Sequence, residues 1–248
     1  MKMKMKRIII LMMFGITMMS EAVIFEYQDI IGDDNGPGTY IYPTNKVFVE
    51  SGFDIKKVKI EEEKDFYNFV FEIPVKFKNE WKNANGWDIQ QFDVYMNFGK
   101  GKNKHTISGR NVKIKKGWDK VLLVSPAKNE VLIKKELIKN DMISDDSKMK
   151  EENIIKDILL PELFEIKGNV LTAKIKKINL KDMKKLKGVQ VFMTSAEAYP
   201  GAFNTYIRTV NKEKTEWRFG GGVDDENGNG DPNVIDILGE NKSLANYN

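Results

Sequence analysis

Cysteine is absent from the 248 residues, and histidine occurs only once. Without thiols there is no disulfide framework, thiolate metal centre, cysteine nucleophile or lipid attached through cysteine. One histidine excludes multi-histidine zinc centres and leaves His105 as the sole imidazole base to consider. No stretch rich in Pro, Gly or Ser marks a linker, and no internal repeat is visible. Beyond Met19, no run is apolar enough to cross a bilayer. Against these absences, 41% of the residues are hydrophobic and 31% charged, which suffices to bury a core in one large domain.

Residues 1–7 form a basic stretch, Met-Lys-Met-Lys-Met-Lys-Arg, followed by an uncharged run of twelve residues from Ile8 to Met19. Ser20-Glu21-Ala22 then places small residues at the two positions a signal peptidase reads. This order predicts a secretory signal peptide over 1–22, with one domain over 23–248. Twelve helical residues rise only about 18 Å, short of a hydrocarbon core of about 30 Å. Cleavage removes Lys2, Lys4, Lys6 and Arg7 against Glu21 alone, taking the net charge from +4 to +1. A near-neutral surface argues against nucleic acid as partner. The expected location is secreted (periplasmic, extracellular or cell surface), without membrane insertion.

From Asn68 the chain alternates. Phe69, Phe71, Ile73, Val75 and Phe77 share one face, with Glu72 and Lys76 opposite. Pro74 removes a ladder donor and predicts an edge strand or a bulge. Phe92, Val94, Met96 and Phe98 are expected inward, with Asp93, Tyr95 and Asn97 outward. Weaker alternation recurs in 171–175, 189–193 and 206–210, and the apolar runs 121–124 and 131–133 are further strand candidates. A helix is expected over 148–159, capped by Asp145, Asp146 or Ser147 and ended by Pro161. The fold class is all-β: an antiparallel β-sandwich, jelly-roll or DOMON-like, with one or two short helices.

Two segments rich in Gly and Asp stand out. Gly32-Asp33-Asp34-Asn35-Gly36-Pro37-Gly38-Thr39-Tyr40-Ile41-Tyr42 gathers oxygen ligands beside a tight backbone path, with Tyr40 and Tyr42 on one side if extended. The second, Trp217 to Asp236, contains D-x-N-x-N-G. Asp225, Asn227, Asn229 and Asp231 alternate there, and Asp236 stands at loop position twelve. That is calcium-loop spacing, though Asp closes it where Glu is usual and Pro232 interrupts it. The expectation is a structural calcium in a loop on a β-scaffold, with a solvated acidic turn as the alternative.

These segments carry a resemblance. Gly-Asp-Asp-x-Gly-Pro-Gly-x-Tyr-x-Tyr-Pro-Thr-Asn at 32–45 resembles the opening motif of the glucodextranase-like C-terminal module. The resemblance continues through Phe53-Asp54-Ile55, Asn85-Gly86-Trp87, Gln90 to Tyr95, Gly109-Arg110-Asn111 and Gly117-Trp118. It closes on Trp217-x-Phe-Gly-Gly-Gly and on Asp231 to Leu238. The chain departs from the family in the lysine-rich stretch at 134–187 and a longer loop at 224–230. The resemblance implies a DOMON-type β-sandwich of the kind appended to secreted enzymes that process α-glucans. Its implied role is binding of carbohydrate or a cell surface, with a glycoside hydrolase as possible partner.

Catalytic machinery is not visible in the sequence. A glycosidase needs two carboxylates across a cleft, and no local pattern sets one pair apart. His105 lies in a basic loop without an apolar frame, and Ser125 and Ser195 lack a nucleophile elbow. Sugar binding asks for less: a flat aromatic ring beside Asn, Asp, Gln or Arg. Trp81, Trp87 and Tyr42 are the preferred ring candidates, with Tyr40 beside them. The alternative function is a structural or protein-interaction module of the cell envelope. Its lysines between Lys167 and Lys187 would meet anionic cell-wall polymers or acidic lipids, although their alternation fits better the solvent face of a strand.

Overall fold

The computed structural model describes residues 22–107, 109–128, 156–181, 183–197, 207–223 and 231–239. Its strands form two five-stranded sheets. The first is wholly antiparallel, in the order β1 (Ala22–Gln28), β2 (Lys57–Glu62), β3 (Phe66–Glu72), β10 (Val170–Lys176), β9 (Leu163–Lys167). The second runs β12 (Asp236–Ile237), β11 (Gly188–Ser195), β4 (Gln90–Asn97), β7 (Lys120–Val124), β8 (Ile158–Leu159), with β7 and β8 parallel. A hairpin of β5 (Asn103–His105) and β6 (Lys113–Trp118) forms a separate two-stranded sheet. The protein is all-β, as its sequence predicts. Among the described residues the one helical element is a 3-10 turn, Met183–Lys185.

Alternation accounts for the inner faces. Phe69, Phe71 and Ile73 meet Phe92, Val94 and Met96 across the sandwich, and the Phe71 and Phe92 rings stack with centroids 4.3 Å apart. Leu171, Ala173 and Ile175 of β10 join this core, while Lys174 and Lys176 point away from it. Each buried Phe or Leu contributes on the order of 1.5–3 kcal/mol. The lysines of the first sheet's outer face pair with Glu instead, Lys177 with Glu62 at 2.6 Å and Lys174 with Glu63 at 3.1 Å. Such exposed pairs are worth about 0–1 kcal/mol each, so they solubilise the face more than they stabilise it.

Three sequence expectations change. Pro74 does not put β3 on an edge, because the strand ends at Glu72 and lies central between β2 and β10. Beyond it, Ile73 and Phe77 donate their amides to Asn169 and Gly168 in the β9–β10 turn, so the proline sits where no ladder donor is needed. The helix expected over 148–159 ends in strand, since Ile158–Leu159 is β8; residues 148–155 lie outside the described residues, as do 131–133. Thirdly, Asp93 and Tyr95 do not face solvent. Ile107, Val112, Trp118, Val234 and Ile237 roof the outer face of the second sheet and bury Tyr95, Val121, Leu123 and Phe192 in a second apolar cluster.

Asp119 organises the turn beneath that roof. Its carboxylate accepts the amides of Phe98 at 2.7 Å, Lys100 at 3.3 Å and Lys102 at 3.4 Å. Burial works to raise its pKa, but the converging amides of Phe98, Gly101, Lys102 and Lys100 outweigh it and hold the carboxyl below its ordinary value. A depressed folded pKa gives stability that is present above the unfolded value and lost as pH falls through the folded one. Asp119→Ala is therefore expected to cost about 2 kcal/mol at pH 7, or roughly 4–8 °C in Tm. Melts repeated at falling pH should show the gap between variant and parent closing below about pH 4.

Candidate functional site

The loop from Asn79 to Asp88 is built by side chains. Asp88 accepts the amides of Glu80 and Trp81, both at 2.9 Å, and Asn83 donates to the carbonyls of Trp87 and Asp88. Lys82 and Gly86 take positive φ of 53° and 102° to close it. Trp81 is thereby held half-buried, its ring centroid 6.1 Å from that of Trp217 at 50°. Trp217 leans edge-on against Phe48 at 6.4 Å. Arg208 lies 5.2 Å over the other ring of that pair, Phe48, and donates to the Trp217 carbonyl at 2.8 Å. Burial lowers the Arg208 pKa to about 10, against the partial compensation of Glu197. Glu197 is also ion-paired with Arg218. The result is a pair of half-buried indoles, the second of which precedes Arg218 of the Arg218–Glu197 ion pair in the chain.

The other proposed rings have structural positions. Trp87 is 0% exposed, donates to the Gln90 carbonyl at 2.6 Å and packs edge-on against Phe164. Its face is not available to a ligand. Tyr40 is buried as well, and its hydroxyl donates to the Pro232 carbonyl at 2.6 Å. Tyr42 is half-buried between Phe53 and Phe219, with its hydroxyl donating to Asp34 and accepting the Phe53 amide. Trp118 lies in the outer cluster. Of the ring candidates only Trp81 is in an open pair, and its partner Trp217 stands 136 positions later, out of reach of any local pattern. His105 is exposed, as expected, but it ends strand β5 opposite Lys113 and does not lie in a loop.

The two Gly/Asp segments meet in space. Ile41 and Gly220 exchange amide–carbonyl bonds at 3.0 and 2.9 Å, and Gly36 donates to the Ile235 carbonyl at 2.7 Å. Asp225, Asn227 and Asn229 lie outside the described residues. Asp231 accepts the Val223 amide at 2.6 Å. Asp236, expected to close the calcium loop, faces the amino-terminal motif. It accepts the Ile55 amide at 2.7 Å, and one oxygen each from Asp33, Asp54 and Asp236 lie within 4.8 Å of one another. Burial, reinforced by the neighbouring carboxylates, raises Asp33 and Asp54 to about 6 and Asp236 to about 9.

No helix among the described residues is long and apolar enough to cross a membrane. No curated protein matches the chain. A family model described as the SLH-like C-terminal binding module of glucodextranase matches residues 24–246, nearly the whole length described above. This chain, with its sandwich and its paired Gly/Asp motifs, belongs to that family of binding modules.

Proposed function

We propose that the protein is a secreted, non-catalytic module that binds an α-glucan-type or envelope polysaccharide through Trp81 and Trp217, with Arg218 and Glu197 at the rim. The observation that carries this reading is the half-buried indole pair, with ion-paired Arg218 next to Trp217 in the chain. Sugars offer weakly apolar C–H faces ringed by hydroxyls, and an indole with a neighbouring guanidinium and carboxylate answers both. The family description supports binding over turnover. So does the acid cluster: Asp54 and Asp236 are 0% exposed, and a glycosidase acid or nucleophile must be reached by substrate. A glycoside hydrolase acting on the same glycan is the natural partner for such a module.

Affinity electrophoresis through gels containing soluble α-glucans or envelope polysaccharides tests this. Retardation is expected by at least one of them, weakened about tenfold, or on the order of 1.4 kcal/mol, in Trp217→Ala and in Trp81→Ala, with circular dichroism unchanged. Trp87→Ala would be uninformative because it opens the core. Migration unaffected by every polysaccharide would favour the envelope interaction module without sugar binding. The exposed Val23, Tyr27, Ile30 and Ile31 on and just after edge strand β1 are the feature that favours that second reading.

A further inference from the structure

We propose that Asp33, Asp54 and Asp236 form a divalent-cation site, with Ca²⁺ the ion its donors fit, pinning the amino-terminal motif to the last strand. This goes beyond carbohydrate binding and uses a ligand set that shares Asp236 alone with the 225–236 loop spacing. Asp33 and Asp54 stand 21 positions apart and Asp236 a further 182 along the chain, yet each brings an oxygen within 4.8 Å of the others. Oxygens so placed can all reach one ion at the roughly 2.3–2.6 Å of Ca²⁺–O bonds. An all-carboxylate donor set suits hard cations such as Ca²⁺ and Mg²⁺ over zinc.

A separate observation points to a missing partner. Asp54 is fully buried, and while its Oδ2 accepts the Gly32 amide at 2.7 Å, its Oδ1 has no hydrogen-bond partner. Buried polar atoms are nearly always satisfied, and an orphaned carboxylate oxygen is costly. Among the described residues neither Asp54 nor Asp236 is ion-paired with Lys or Arg. The charges acting most on Asp236 are other aspartates: Asp33, Asp29 and Asp54. A cation would supply the Asp54 Oδ1 partner and cancel the mutual repulsion together. It would also cross-link the 32–45 motif, the Phe53-Asp54-Ile55 turn and β12, none of which is adjacent in sequence.

The test is a thermal melt of the purified protein, stripped with chelator and then titrated with Ca²⁺ or Mg²⁺, alongside metal analysis of protein purified without chelator. At a Ca²⁺ concentration about 100 times Kd, a rise in Tm of roughly 5–10 °C is expected. Asp54→Asn should abolish the rise, yet melt in chelator at or above the parent because one uncompensated buried charge is gone. Asp33→Asn, at a partly exposed position, gives the same readout if the first variant does not fold. Asp225→Ala should keep the full shift. Absence of any shift, with no metal in the purified protein, overturns the site. A shift kept by Asp54→Asn and lost in Asp225→Ala moves the ion to the 225–236 loop, and a response to Mg²⁺ alone overturns the choice of Ca²⁺.

Discussion

Asp93→Ala is expected to lower stability by about 3–5 kcal/mol, or roughly 6–20 °C in Tm. Asp93 is 0% exposed and receives the Arg110 guanidinium through Nε at 2.6 Å and Nη2 at 3.3 Å. Removing the acid takes from the buried guanidinium the carboxylate that accepts its Nε and Nη2 protons, and the loss of that counter-charge in a buried setting appears as lost stability. Arg110→Ala should cost a similar amount, because the buried carboxylate loses its cation while keeping the Gln91 side-chain amide at 3.3 Å. The pair also fixes the roof, because the Arg110 carbonyl accepts the Asn233 amide at 3.1 Å and Asn233 donates onward to Gly109 at 2.8 Å. A double replacement with apolar residues of similar volume, Asp93→Leu with Arg110→Met, is expected to recover most of the loss, since a buried pair is replaceable even where a single partner is not. Calorimetric melts of the two single variants and the double variant decide this. Two additive losses, with the double variant the least stable, would show that the positions act through packing and not through their mutual charge.

Gly221→Ala is expected to cost about 3 kcal/mol or more, because two penalties coincide. Gly221 has φ of +89°, where an L side chain is strained by about 1–2 kcal/mol. A Cβ there would also stand 2.0 Å from the Thr39 carbonyl oxygen, which is backbone and cannot rotate away. The collision falls where the two motifs join, beside the Ile41–Gly220 bridge and the Thr39 hydroxyl bond to the Gly221 carbonyl at 3.0 Å. Gly38→Ala is the matched control: its φ is +99°, but no atom lies within 4 Å of the added carbon. That variant should lose only the conformational term, about 1–2 kcal/mol. Urea midpoints followed by tryptophan fluorescence separate the two, and equal midpoints would mean that close approach of the motifs contributes nothing.

The inner faces of both sheets were legible because period-two alternation reports directly on a surface that must exclude water. Phe69, Phe71, Phe92, Val94 and Met96 all lie where that rule puts them. The outer face of β4 was not legible. Asp93 and Tyr95 carry polar groups and look solvent-bound in a local window, whereas Arg110, 17 positions after Asp93, and the Val234–Ile237 segment that cover them lie outside that window. The same limit governs the site. A Trp beside a polar loop looks alike whether its ring ends in the core, as Trp87 does, or in an open pair, as Trp81 does. Asp236 fits a linear calcium spacing, yet its carboxylate meets Asp33 and Asp54, a grouping that depends on how β12 is seated against the amino-terminal motif. The glycines were the more reliable signal. Gly36, whose Cβ would lie 2.2 Å from the ring of Tyr40 four residues on, marks the tight local path that Gly36-Pro37-Gly38 announces in the sequence.

Whether the protein holds glycan without altering it is tested most directly by incubating the purified protein with α-glucan oligosaccharides. Bound ligand and newly formed reducing ends are then measured in the same sample. Saturable binding with no new reducing ends is the expected result. Steady release of reducing ends, abolished by replacing a single carboxylate, would contradict a binding role and make the protein a hydrolase.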